Sequence, residues 1–240
     1  MSTVYSIKKG LDINLLGEAE KTVVDLNDHL FAVKPTDFHD FFPKLLVQEG
    51  DGVKAGTPLF VDKYRGEIVF TSPVSGKVKE VRRGAKRKIL EVIVESDGKN
   101  ESEDFGVADI SKVGREEIVE KLQKSGVWPV IRQRPYSTIA DSKDEPKSVF
   151  IAAFESGPLA PDYDLLLHNH GNEFQAGLDI LKKLTTGKIY LNVHAKKTFS
   201  KVFLNAKNVE INSFQGPHPV GNISVHISRL DPINKGDIIW

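Results

Sequence analysis

The sequence contains no cysteine. That excludes disulfides, thiol nucleophiles and Cys-ligated iron–sulfur clusters within this chain. No run approaches the roughly 18–20 consecutive apolar residues that a membrane span needs. The N-terminus, Met1-Ser2-Thr3-Val4-Tyr5-Ser6-Ile7-Lys8-Lys9-Gly10, lacks a signal-peptide apolar core, so a cytosolic chain is the default expectation. Net charge is absent as well, with 33 basic against 33 acidic residues, and no global field argues for a nucleic-acid partner. There is no Walker A motif, and no G-x-G-x-x-G follows Phe154, where the chain reads Glu155-Ser156-Gly157-Pro158-Leu159-Ala160-Pro161. A phosphate loop needs such glycines so that backbone N–H groups reach the anion at a helix N-terminus. G-x-S-x-G is missing, and nothing marks a pair of carboxylates as catalytic. The chain shows no machinery of a stand-alone enzyme.

The composition that remains, 40% apolar and 28% charged over 240 residues, is that of a globular protein long enough for two domains. The most informative stretch runs from Leu46 to Val94. Two near-repeats lie in it: Glu49-Gly50-Asp51-Gly52-Val53-Lys54-Ala55-Gly56, and Ser72-Pro73-Val74-Ser75-Gly76-Lys77-Val78 followed by Val81 and Gly84. Short β-runs punctuated by glycines that accept φ > 0 suit a small closed β-fold of two similar halves. Residues 4–26 read as irregular strands, and Phe38, Phe41 and Phe42 as a core or interface cluster. Val78 and Val81 on one side and Ile89–Val94 on the other flank the turn Arg82–Lys88, as in a long hairpin.

Arg115–Ser125 reads as a helix. Ile118 and Leu122 are spaced i, i+4, acids occupy the first turn, lysines the last, and Gly126 ends it. Pro129 and Pro135 prevent regular structure in the segment that follows. Ser148–Phe154, Lys188–Val193 and Asn208–Phe214 read as buried strands, with helices over 172–184 and 198–206 between them. This βαβαβ order points to a parallel, Rossmann-like layer. Ile223–Ile227 is strand-like, and Asp237–Trp240 reads as the opening of another strand. The expected fold is therefore mixed, α+β to α/β. A β-rich module spans 1–100 and contains the two-half unit at about 44–95. A linker, helix and proline-rich loop cover 101–146, and a Rossmann-like layer covers 147–240, ending in a truncated β element.

Charge is locally uneven. Lys77–Lys88 holds seven basic residues and one Glu, whereas Glu95–Asp109 holds six acids and one Lys. The plain reading is a solvated hairpin and a solvated linker. The sharper one is a docking patch of Arg82, Arg83, Lys86, Arg87 and Lys88 for anionic lipid or an acidic partner. His168 and His170 would share one face of an extended strand, but metal sites normally need three or more ligands and no carboxylate joins them, so no metal is expected.

The two-half β unit resembles the barrel-sandwich fold of biotinyl and lipoyl carriers, and Asp62-Lys63 lies where a modified lysine would. A carrier with Lys63 modified is thus one reading. Against it, Tyr64-Arg65-Gly66 intervene before Glu67–Phe70, which lengthens the loop and shifts its register. Longer stretches point elsewhere. These are Ile7-Lys8-Lys9-Gly10-Leu11-Asp12-Ile13, Val69–Lys77, Arg82–Arg87, Ser125-Gly126-Val127-Trp128, Arg132-Gln133-Arg134-Pro135-Tyr136-Ser137 and Gly216-Pro217-His218-Pro219-Val220-Gly221 through His226. With them the chain resembles the A-subunit family of bacterial sodium-translocating NADH:quinone oxidoreductases, over roughly its first half. It is more remotely similar to the NADH/FMN-binding subunit of respiratory complex I and to the C-subunit of the Rnf complex. In those relatives a glycine-rich loop after the helix cradles flavin and nucleotide phosphates. Here bulky side chains and two prolines stand in its place, which also argues against an Rnf-type subunit.

The resemblance implies a peripheral subunit on the cytoplasmic side of the bacterial inner membrane, attached through partner subunits and binding no nucleic acid. It implies no NAD, flavin or iron–sulfur cofactor in this chain, those groups being carried by other subunits of the complex. It allows quinone here without fixing where. Arg132, Arg134, His218 and His226 are the candidate polar contacts to quinone or partner, beside the motif positions Gly216, Pro217, Pro219 and Gly221. The competing reading of these residues is a structural corner.

Overall fold

The computed structural model describes residues 3–17, 19–25 and 28–240. The part of the Val4–Leu26 reading that falls on Glu18 and Leu26 lies outside the described residues. In chain order the elements are β1 (Val4–Ser6), β2 (Leu30–Val33), β3 (Pro43–Leu45), β4 (Gly52–Val53), β5 (Pro58–Asp62), β6 (Val69–Thr71), β7 (Gly76–Arg83) and β8 (Ile89–Ser96). Then come α1 (Arg115–Lys124), β9 (Arg132–Gln133), β10 (Thr138–Ile139), β11 (Ser148–Ala152), α2 (Tyr163–Leu166) and α3 (Gly171–Lys182). Last are β12 (Lys188–His194), α4 (Lys201–Leu204), β13 (Glu210–Gln215) and α5 (Ile223–Leu230). They form two compact units, Val24–Ser142 and Met1–Val23 with Lys143–Trp240.

The unit Val24–Ser142 holds two larger antiparallel sheets, ordered β2-β8-β7-β4 and β3-β5-β6. The glycines act where the sequence places them. Gly76 has φ +152, and a Cβ there would lie 1.9 Å from the Glu95 carbonyl oxygen across the β7–β8 ladder, so no larger residue fits. Phe41, Phe60 and Phe70 are buried, with Phe38 edge-on to Phe70 at 4.5 Å between centroids. Phe42 is instead half exposed and packs edge-to-face with Tyr64.

Helix α1 ends as expected at Gly126, which has φ +73. The Gly126 N–H donates to the Gln123 carbonyl and the Val127 N–H to the Leu122 carbonyl, the paired bonds of a Schellman cap. The next residues turn inward. Trp128 is fully buried and its Nε1 donates to the Ala140 carbonyl at 2.8 Å. The stretch read as irregular in fact contains the short antiparallel pair β9–β10, with the turn Arg134–Ser137 between its strands.

The second unit is built on a parallel sheet ordered β1-β13-β12-β11. The tail extends it, since Ile239 bridges Ser148 in parallel. The segment Asp237–Trp240, read as a strand opening, makes this one isolated bridge and forms no strand of its own. Two other sequence expectations differ. The reading that groups residues 1–100 as one β-rich module includes β1, yet β1 pairs with β13 through Val4↔Ser213, Tyr5↔Phe214 and Ser6↔Gln215. Ile223–Ile227 is helix α5. Its apolar residues satisfy both the alternating and the i, i+4 templates, and Asn222 decides the outcome by accepting from the Ser224 N–H as N-cap.

Alternation along β12 explains why the strand is apolar on both sides. Leu191 and Val193 pack in one cluster with Phe203 of α4, joined by Phe174 of α3. Tyr190 packs in another with Ile227 of α5. Helices α3 and α4 thus cover one face of the sheet and α5 the other.

Replacing Trp128 with Phe removes the only polar group of that side chain and leaves the buried Ala140 carbonyl without its partner. The expected loss is about 2 kcal/mol of unfolding free energy, read by urea denaturation with an unchanged m-value.

Candidate functional site

Chains leaving β12 and β13 turn to opposite faces of the sheet, toward α4 and α5. In open parallel sheets such divergence opens a crevice at the carboxyl ends of the two strands, where ligands bind. A cavity of about 420 Å³ lies there. Its lining comes from the segment after β11 (Phe154, Glu155, Ser156), the end of β12 (His194), the turn after β13 (Gly216, Val220) and the stretch Asp12–Asn14.

The Gly216–Gly221 motif forms the corner of this crevice. Gly216 has φ +137, and a Cβ on it would stand 2.2 Å from the Ile7 carbonyl oxygen. A Cβ on Gly10 would stand 2.1 Å from the His218 carbonyl oxygen, and one on Gly221 would stand 2.4 Å from the Ser156 nitrogen. Three backbone segments therefore meet at near van der Waals closeness, which is why small residues occupy all three points. Side chains then stitch them together. The Asp12 carboxylate accepts from the His218 N–H at 2.7 Å, and the Leu11 N–H donates to the His218 carbonyl. Ser156 Oγ hydrogen-bonds His218 Nδ1 at 2.9 Å and accepts from the Gly221 N–H at 2.9 Å. Pro217 and Pro219 lie in the same turn, and the His218–Pro219 peptide is cis.

The crevice is acidic. Asp12, Glu155, Asp162 and Asp164 line it, against Lys197 and His194. The carboxylates serve the protein's own backbone. Glu155 accepts from the Ser156 N–H at 2.7 Å, Asp162 caps α2, and Asp164 accepts from the Phe199 and Ser200 N–H groups. Burial, then the charges of Lys197 and Lys196, lower the pKa of His194 below the usual imidazole value. Its Nδ1 accepts from the Lys196 N–H, which leaves the proton on Nε2.

A nucleotide or flavin phosphate does not fit these residues. The Ser156 N–H that follows β11 is already taken by a carboxylate, four carboxylates repel an added anion, and the fingerprint glycines are missing. The loop after α1 is equally closed to phosphate, because buried Trp128 and Pro129 occupy it. Among the described residues no group of three or more His, Cys, Asp or Glu side chains is placed to hold a metal ion. His168 and His170 lie in the turn between α2 and α3, with Asn169 at φ +66 between them, not on a strand.

The four candidate contacts do not fall in one unit. His226 is a core residue of α5, fully enclosed, with Phe154 and Phe214 rings 5.4 and 4.3 Å away. Its Nε2 donates to the Val220 carbonyl at 2.7 Å, and Nδ1 has no partner among the described residues. His218 is half-buried in the corner. Arg132 and Arg134 belong to the other unit. The Arg132 guanidinium sits 4.8 Å from the centroid of the Phe38 ring. Arg134 is half-buried beside it, and among the described residues no carboxylate or carbonyl accepts from it. Burial, then the charge of Arg132, lower its pKa, though a guanidinium stays charged.

Lys63 follows β5 directly. Its N–H donates to the Phe42 carbonyl, and its ammonium lies over the Tyr64 ring. Buried Asp62 organises the loop by accepting from the Tyr64 and Arg65 N–H groups and the Arg65 guanidinium, so Lys63 sits at the base of the loop and not at its tip. In the basic hairpin, Arg82 is paired with Glu80 and Glu91, at 3.1 and 3.0 Å. Sequence reasoning missed His194, Glu155, Asp164 and Asn192. Asn192, a lone amide in the apolar run Lys188–Val193, lies outside the crevice lining. It is fully buried, and among the described residues both its side-chain polar atoms lack partners.

Residues 5–97 match the family model described as the NqrA N-terminal barrel-sandwich hybrid domain, and residues 113–240 the one described as the NqrA second alpha/beta domain. The A-subunit of Na(+)-translocating NADH-quinone reductase is 33% identical in Yersinia pseudotuberculosis, 36% in Vibrio atlanticus and 35% in Saccharophagus degradans. Each match covers 99% of this chain and 53% of the relative, so the chain spans about half the length of the curated relatives it matches.

Two predictions test the site's construction. Gly221→Ala forces a Cβ against the Ser156 and Glu155 backbone, and stability should fall by about 2–3 kcal/mol in chemical denaturation. Burial pushes the His226 pKa down to about 4. Below pH 6.5 the unfolded chain binds a proton that the native chain refuses, so this histidine's effect on stability worsens as pH falls from 6.5 toward 4. From about pH 7.5 to about pH 5 the wild-type chain should lose about 2 kcal/mol more than His226→Gln, measured by urea denaturation at each pH.

Proposed function

Because this chain belongs to the NqrA family, the A-subunits of Na(+)-translocating NADH-quinone reductases, we propose that it forms part of a peripheral subunit of such a complex. In this reading the complex passes electrons from NADH to quinone and exports sodium ions, with NAD, flavin and iron–sulfur groups held by other subunits. Among the described residues no helix is long and apolar enough to cross a membrane. Attachment on the cytoplasmic side of the inner membrane would then run through partner subunits.

The observation that carries a contact role is Arg134. A half-buried guanidinium beside a second arginine, with no internal acceptor among the described residues, has lost solvation without gaining a charged or carbonyl partner. A carbonyl or carboxylate oxygen from another subunit of the complex, or a quinone carbonyl, supplies what it lacks. Arg132 is satisfied differently, since the Phe38 face already takes its charge. The acidic crevice and the closed loop after α1 support the absence of NADH and flavin from this chain.

The test is made in the intact complex. Arg134→Ala should weaken co-purification with the other subunits or raise the quinone KM by about tenfold to a hundredfold, the worth of a hydrogen bond to a charged group. Arg132→Ala should chiefly destabilise the loop. Unchanged assembly together with unchanged quinone reduction for Arg134→Ala would remove the contact role.

A further inference from the structure

We infer that the tip of the β7–β8 hairpin, Arg83 with Lys86, Arg87 and Lys88, is a contact for an anionic phospholipid surface. The inference rests on the reading of the chain as part of a peripheral membrane subunit. Strands β7 and β8 are each eight residues long. Their inner halves are anchored by Val78, Val92 and Val94 in the core, while Arg82–Arg83 and Ala85–Lys88 stand exposed beyond it.

Of the five cations in this turn, Arg82 is neutralised by Glu80 and Glu91. Among the described residues no carboxylate pairs with the other four. Arg83 instead donates to the Arg87 carbonyl at 3.2 Å, which braces the tip from within. Lys86 and Arg87 both occupy the left-handed region, at φ +54 and +60. Two consecutive non-glycine residues in that region are strained, and such strain clusters where a shape is held for use.

The chemistry favours lipid over a protein partner. A specific protein interface needs a broad patch with buried apolar or aromatic anchors. The exposed large hydrophobic residues of this chain include none between Gly76 and Ser96. The lysines are point charges on flexible stems, suited to a diffuse anionic field of headgroups.

Each cation held near an anionic leaflet raises partitioning about fivefold, so four should raise it by about a hundredfold or more. The chain is mixed with sedimentable vesicles of phosphatidylcholine alone, or of phosphatidylcholine with phosphatidylglycerol. The comparison variant carries Arg83→Gln, Lys86→Gln, Arg87→Gln and Lys88→Gln. A control variant loses the same charge elsewhere, through Lys196→Gln, Lys201→Gln, Lys207→Gln and Lys235→Gln. Wild type and control should bind the anionic vesicles, release them at high salt and ignore the neutral ones, while the hairpin variant binds about a hundredfold more weakly. Equal binding to neutral vesicles, no binding to anionic ones, or equal losses in the two variants would overturn the inference. Co-purification of the tagged chain with other subunits is scored separately. Its loss with vesicle binding intact refutes the membership in a complex and leaves the lipid contact standing. Its retention without vesicle binding refutes the lipid contact alone.

Discussion

The parallel pairing of β1 with β13 is the constraint on which the C-terminal unit depends. Three residues at the start of the chain meet three that lie more than two hundred positions later. Tyr5 stacks on Phe214 at 5.1 Å, and Phe214 in turn lies against His226 of α5. The segment after β1 is thereby laid along the turn after β13, where Gly10, Gly216 and Gly221 permit backbone contact that no Cβ would allow. The two sequence motifs around Gly10 and Gly216–Gly221 are one structural object seen twice. Residues 24–142 are then an excursion of the chain between its first strand and the rest of the sheet.

The same pairing closes one side of the crevice at the carboxyl ends of β12 and β13. Sheet topology dictates that a crevice exist there, but not what it binds. In this chain the backbone donor after β11 is occupied by the Glu155 carboxylate, and Asp164 bonds the start of the segment that leads to α4. Carboxylates satisfy positions where a nucleotide fold keeps donors open for phosphate. The layered architecture is that of a nucleotide fold, while the crevice at its strand ends is lined mainly by carboxylates.

Much of the fold was legible because it is local. The glycine-punctuated β-runs, the acid-to-lysine polarity of α1 and the apolar strands β11 to β13 each carry their signal within a short window of sequence. What failed was either ambiguous or non-local. Ile223, Val225 and Ile227 alternate like a strand, while Ile223, Ile227 and Leu230 repeat like a helix, and a single capping asparagine separates the two outcomes. The partner of β1 lies too far along the chain for any periodicity to show. The crevice was illegible because it arises from two consecutive helices packing on opposite faces. His226 reads as an available imidazole beside a conspicuous motif, yet the aromatic rings that enclose it come from β13 and from the segment after β11. Asn192 has no physical account: a buried amide with neither atom partnered among the described residues costs about 1–3 kcal/mol.

A chain with equal numbers of cations and anions invites the conclusion that electrostatics are unimportant, and the pairing pattern argues otherwise. Adjacent basic residues are treated unequally in two places. Arg82 is held between Glu80 and Glu91, whereas Arg83 and its neighbours face outward without acids. Arg132 rests on Phe38, whereas Arg134 is half-buried with nothing among the described residues to receive its protons. Acids that would balance them are spent elsewhere, on Lys54, Lys79, Lys147 and Lys188, or on capping backbone N–H groups. Neutrality of the whole is thus compatible with two concentrated, unsatisfied positive sites. Internal pairing takes up Arg82 and Arg132, whereas the neighbouring hairpin cations stand in solvent and Arg134 has no internal acceptor among the described residues.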